Sequence, residues 1–506
     1  FSGGSGQYAE EGGGFGAAGV QLNAATLANS GTISGGGGAG SYRSDAGNGG
    51  PGVAMTNGAI AVNLGLITGG GGGYGSNGYN SAGGAGVTLH DATLANTGTI
   101  IGGGGPQAAS IYVYGGAGVV VSGGTLFAGG TITGGAGGHL SVGGVGISIS
   151  GGEAVVTGTI TGGGGADAVS FGYPAGTLQI DPGAVFNGLV VAGAEAADVL
   201  VLGGTTSATL SGLGTEFTNF SSVQIASGAI WALDGANTLV TGSSLLVSGT
   251  LSVAGTLADT GTATISATGS LNPGISGAVL LGGVTLQDGR LTESFGGTMV
   301  IGTSLAGATA GTLTIQEGFQ IAGDGIIHAP TLSIAGALTA QGGTLGLHAI
   351  VTGTGAITID AGATLDVFGT LTAAGIDFAS GGDTLVLGKP ADVTTTLSGF
   401  GTGDTVDLQK IIATTLTYSG GTLTLLDGTT PVKTLILSGD YTLADFAVQS
   451  DGGTGTDVYY AAQDAIATAA PSYHVQNHAW PALATMSGWH DGEPAVVPWL
   501  LTQHGR

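Results

Sequence analysis

The sequence contains no cysteine in its 506 residues, which excludes disulfides and thiolate metal sites. It also suits export, because no bond can lock the chain before it crosses a membrane. Basic residues are scarce: six Lys and Arg stand against 31 Asp and Glu, for a net charge of −25. Nucleic-acid binding needs the opposite sign to neutralise phosphates and is excluded. Attachment to an anionic membrane surface is disfavoured for the same reason. Only 7% of residues are charged and 6% aromatic, against roughly 25% charged in an average domain. Such a chain cannot build one large aromatic core, but it can build many thin aliphatic ones. No uninterrupted apolar run reaches the length of a transmembrane helix. With 12 prolines and no three-residue glycine period, collagen is excluded.

Glycine is abundant, at 110 residues. Mean hydropathy is +0.42, and Val, Ile and Thr occur throughout, which argues against disorder. The chain begins at Phe1 rather than Met, so the expectation is a removed signal segment or a fragment.

Self-similarity sets the fold class. A segment of the form Gly-Gly-x-Gly-Val, or close to it, recurs with its last residue at Val20, Val53, Val87, Val119 and Ile147. A second landmark, Gly-x-Ile, ends at Ile33, Ile67, Ile100, Ile132 and Ile160. The stretch from Val to Ile keeps nearly constant length, whereas the stretch from Ile to the next Val varies. Constant length implies packing and variable length a surface loop. The constant part alternates apolar and polar residues, as at Val87, Leu89 and Leu94, which predicts strands with one buried face. Asn29, Asn63 and Asn96 occupy equivalent places and predict a short hydrogen-bonded ladder; Ala128 and Val156 follow them. The next glycines, Gly31, Gly65, Gly98, Gly130 and Gly158, predict a tight corner needing positive φ or lacking room for Cβ. The fold class expected is all-β: a right-handed parallel β-helix (solenoid) with Gly-rich loops on one side.

Four segments are expected. Residues 1–165 form the five-repeat Gly-rich solenoid, and 166–387 an irregular β-helix. Residues 388–460 form a C-terminal β segment, and 461–506 a tail containing Pro, Trp and His, for docking or linkage. The glycine runs do not read as phosphate cradles, because no helix follows them and no Lys precedes Lys389. Tyr42, Tyr74, Tyr79, Tyr112 and Tyr114 lie in the Gly-rich loops and are candidate glycan or protein contacts. Trp480, Trp489 and Trp499 in the tail are candidate interface anchors. Gly452 to Tyr459 matches the spacing of one calcium nonapeptide. A single copy reads better as a β-turn, so no cofactor or metal is expected, with calcium as the alternative. His474 and His478 lack an evident third ligand.

The stretch Gly83 to Val87 with Leu94 to Gly104 resembles the passenger repeats of autotransporter-type secreted proteins of Gram-negative bacteria. So do Leu210 to Phe217 with Ala226 to Trp231, and Gly399 to Leu408. The resemblance covers roughly residues 1–460. It implies a right-handed parallel β-helix on the outer cell surface or released from it, and brings no catalytic residues. Autotransporters end in a membrane barrel that this sequence does not show. Processing, a separate exporter or a self-assembling secreted product would each account for that.

The function expected is a secreted or cell-surface structural or adhesive β-solenoid that self-assembles into filaments or a surface layer. One alternative is a monomeric glycan-binding adhesin. A related one is an ice- or glycan-binding module using the Thr32, Thr99, Thr131 and Thr159 row, which Leu66 interrupts. Another is a polysaccharide-degrading β-helix enzyme, which needs clustered carboxylates. The acids of the first repeats share no repeat position, and Asp404 and Asp407 lie three apart, on opposite faces of a strand. No enzyme activity is expected.

Overall fold

A computed structural model describes residues 1–461, except 11, 43–44, 76–80, 107–112, 140, 195–196, 241, 275, 293–297, 302–308, 310, 374 and 389–392. The described chain is all-β. Its helical turns are two short 3-10 segments, Gly163–Gly165 and Leu443–Asp445.

The two sequence landmarks become two columns. Val20 pairs with Val53, Val53 with Val87, Val87 with Val119 and Val119 with Ile147, all in parallel strands. Ile33, Ile67, Ile100, Ile132 and Ile160 pair in the same way in a second, six-stranded sheet. Every one of these side chains is buried except Val20, which is half-buried at the first repeat. A fully buried Val or Ile contributes about 1.5–3 kcal/mol, so each added repeat lays two such increments onto the last. The landmarks also touch. A Cβ on Gly86, the glycine before Val87, would lie 2.5 Å from Ile100 Cγ2 and 2.6 Å from the Gly118 carbonyl oxygen. Glycine precedes Val because the Ile of the same repeat fills that space.

The asparagines form the expected ladder. Asn29 Nδ2 donates to Asn63 Oδ1 at 2.7 Å, and Asn63 Nδ2 to Asn96 Oδ1 at 2.7 Å. All three are buried. Each also folds over its own corner: Asn29 Oδ1 accepts from Gly31 N at 3.1 Å, and Asn63 Oδ1 from Gly65 N at 3.3 Å. The corner glycines are required for space, not for φ. None has positive φ, and a Cβ on Gly65, Gly98, Gly130 or Gly158 would overlap the carbonyl oxygen of the corner glycine one repeat earlier.

The Gly-rich segments are ordered arms. Gly35 N and Gly38 N bond to the next repeat, at Thr68 O and Gly71 O, both 2.8 Å. Gly36 N and Ala39 N cross to the facing arm, at Ala17 O (2.8 Å) and Gly14 O (2.9 Å). Amides thus change direction with a period of three, and Gly162 has φ −72° and ψ 138°. Both features are those of polyproline II geometry. The crossing bonds form a continuous zigzag. It runs Gly50 to Gly36, Gly70 to Gly50, Gly84 to Gly70, Gly103 to Gly84, Gly116 to Gly103, Gly135 to Gly116, Gly144 to Gly135 and Gly163 to Gly144, at 2.7–2.9 Å. A Cβ on Gly70, Gly103 or Gly135 would overlap a carbonyl oxygen of the arm one repeat earlier. That close approach accounts for the glycine runs.

The arms end near residue 166, but strand pairing continues. The first column extends through Val169, Val190 and Phe217. The asparagine column extends through Ala128, Val156, Ile180, Leu202, Ile225 and Val247. Parallel pairing persists to Thr405–Leu408, which pairs with Thr384–Leu387. There the direction changes. Thr456–Tyr460 lies antiparallel to Thr405–Leu408, and Thr415–Ser419, Thr422–Asp427 and Thr430–Ser438 form an antiparallel meander whose last strand still pairs parallel with Thr396–Ser398. Phe446 packs at 5.4 Å from both Tyr418 and Tyr441 and at 6.2 Å from Phe400. These rings cover the aliphatic core at that end.

Candidate functional site

Strand alternation leaves one side chain in two facing outward, and the register stacks those side chains into surface columns. Three surfaces carry chemistry. The first is the tips of the glycine arms. Tyr42, Tyr74 and Tyr114 are exposed there, each by more than half, as is Tyr8, which the sequence reading did not single out. The Ala9–Ser41 and Ser41–Gly75 bridges place Tyr8 and Tyr74 on either side of Gly40. Tyr79 and Tyr112, like Trp480, Trp489 and Trp499, lie outside the described residues.

The second surface is a shallow groove of about 550 Å³ on the outer face of the large sheet. Phe127 stands in it, 47% exposed, with Ala95 opposite on one neighbouring strand and Val155 on the other. Glu153, Gln179, Asp181, Thr97 and Thr157 supply its polar side chains, beside the ladder residue Asn96. Gln179 Nε2 donates to Asp181 Oδ1 at 2.8 Å. Sequence reasoning missed this site because its residues come from three repeats and the first strands beyond them, and meet only through the register.

The third surface is acidic. Asp366 and Asp407 face outward with Val386 between them in register. Burial, and secondarily the charge of Asp407, pushes the Asp366 carboxyl up to about 6. Asp407 is also raised, by burial and then by the charges of Asp457 and Asp451. Beside them His348 stacks on Phe368 with ring centres 4.0 Å apart. Asp404, three residues before Asp407, points inward as expected. It is buried and accepts from Gly401 N (2.7 Å) and Asp383 N (3.0 Å), so it closes a turn. The Gly452–Tyr459 segment forms the tip and second strand of a hairpin between Phe446–Ser450 and Thr456–Tyr460. Among the described residues no group of three His, Asp or Glu is placed to hold a metal ion.

The Thr row forms as well. Thr99, Thr131 and Thr159 are in register on the six-stranded sheet, with Leu66 between Thr32 and Thr99. Among the described residues no helix is long and apolar enough to cross a membrane. Comparison with known proteins finds no match among family models, curated proteins or solved structures.

Proposed function

We propose that the chain is a right-handed β-solenoid presented outside a Gram-negative cell, where it serves as a structural and adhesive scaffold. The observation that carries this reading is the succession of parallel strand pairs from Val20–Asn23 to Thr405–Leu408, which keeps its direction through register shifts near Asp259, Gln287, Gly323 and His328. It devotes nearly every inward side chain to a continuous aliphatic core and leaves a surface of Gly, Thr, Ser and Ala. A repeat architecture of this kind offers extended lateral surface rather than a deep reaction cavity. The lack of cysteine suits export, because no bond can lock the chain before it crosses, and the acidic composition suits solubility.

Self-association is part of the proposal. Among the described residues, Val20–Asn23 and Thr26–Asn29 pair on one side only, and Val20 and Leu27 are only partly buried. An unpaired strand edge beside apolar side chains is a template for another chain. The far end of the parallel stack is covered by the C-terminal meander and hairpin, which favours pairing through the first repeats over open-ended fibres.

The outward Asp366 and Asp407 pair is what an enzyme reading would use. Incubation with soluble polysaccharides separates the two. A scaffold leaves polymer length unchanged, whereas shortening that disappears in Asp366→Asn would establish a hydrolase.

A further inference from the structure

We propose that the Phe127 groove binds a neutral oligosaccharide. The inference rests on the adhesive reading above and assigns it a site. Among the described residues Phe127 is the only aromatic side chain in its outward column, which includes Val62, Ala95, Phe127, Val155, Gln179 and Val201 in register. Its neighbours on the two flanking strands are shorter, so the ring stands open on a strand that is paired on both sides. An exposed aromatic face on an immobile backbone is a low-entropy platform for the C–H face of a pyranose ring. The rest of the lining supplies acceptors and donors: the carboxylates of Glu153 and Asp181, the amide of Gln179, and the hydroxyls of Thr97 and Thr157. A carboxylate accepts strongly from sugar hydroxyls, and the 2.8 Å bond from Gln179 holds Asp181 in place.

The same residues exclude other ligand classes. No Lys or Arg lines the groove, so phosphates and acidic glycans would meet Glu153 and Asp181 unscreened. An added peptide strand is excluded because the strand carrying Phe127 is already paired on both sides. Ala95 to Gln179 spans three strand spacings, about 14 Å. That length suits several sugar units rather than one.

Affinity electrophoresis of the full-length chain through gels containing dextran, a soluble β-glucan or galactomannan tests this, with polygalacturonate as the acidic control. At least one neutral polymer should retard the chain. Phe127→Ala should weaken that retardation about tenfold and Phe127→Trp should restore it, with unchanged circular dichroism. Retardation that survives Phe127→Ala but is lost in Tyr74→Ala overturns the groove and leaves the adhesive reading intact. Retardation by polygalacturonate alone overturns the neutral-glycan assignment. If no polymer retards the chain the groove inference fails, and if the chain also fails to adhere to whole cells the adhesive reading fails with it.

Discussion

Asn63 is hydrogen-bonded on both sides within one buried column: its Oδ1 accepts from Asn29 and its Nδ2 donates to Asn96, each at 2.7 Å. The same column continues as Ala128, Val156 and Ile180. One structural position is thus filled by a polar ladder in three repeats and by aliphatic side chains afterwards. Both solutions work because each is internally complete.

Asn63→Ala should be costly for that reason. It leaves Asn96 Oδ1 without its ladder donor and leaves Asn29 Nδ2 with the longer bond to Gly31 O at 3.2 Å, at about 1–2 kcal/mol. Replacing all three asparagines by Val, the residue at 156, removes the ladder's polar groups together and should cost less than the single change. Urea unfolding of the two variants checks the order.

The glycine arms make a paired prediction. Gly103→Ala places a methyl onto the Gly70 carbonyl oxygen and must break the zigzag. Gly71→Ala places its methyl 3.6 Å from Gly104 O, an ordinary contact, and the column containing Gly37, Gly71 and Gly104 is filled by Ala136 in the fourth repeat. Thermal melting should drop markedly for Gly103→Ala and stay within about 0.5 kcal/mol of the parent for Gly71→Ala.

Asp366 sets a pH dependence. Its folded carboxyl is held up at about 6 against an ordinary 3.8. Between those values the folded state retains a proton that the unfolded state has released, so stability falls as pH rises from 3.8 to about 6 and is then level. Asp366→Asn should therefore raise the melting temperature at pH 7 and have little effect at pH 3.5. Scanning calorimetry at the two pH values reads the difference.

The two columns and the asparagine ladder were legible in the sequence because a period in the chain becomes a neighbour relation in a stack. Val87 and Val119 carry the same motif, so their pairing could be anticipated. The Gly31 series was narrowed to two causes, and space rather than φ is the one that operates. The corner glycine faces another corner glycine one repeat away, which no local rule reveals. The Phe127 groove and the Asp366–Asp407 pair were not legible. Gln179 and Phe127 carry no shared motif, and Asp366 and Asp407 are separated in register by the unrelated Val386. The antiparallel cover over Thr405–Leu408 was hidden for a similar reason, since alternating strands give no sign of the direction in which they pair.

Electron microscopy with sedimentation velocity, on the full-length chain beside a Val20→Lys, Leu27→Lys double variant, tests the scaffold reading most directly. The account predicts elongated particles that join through one end as concentration rises, and a variant that remains dispersed. A parent chain dispersed at every concentration, or a variant that associates as strongly as the parent, would contradict it.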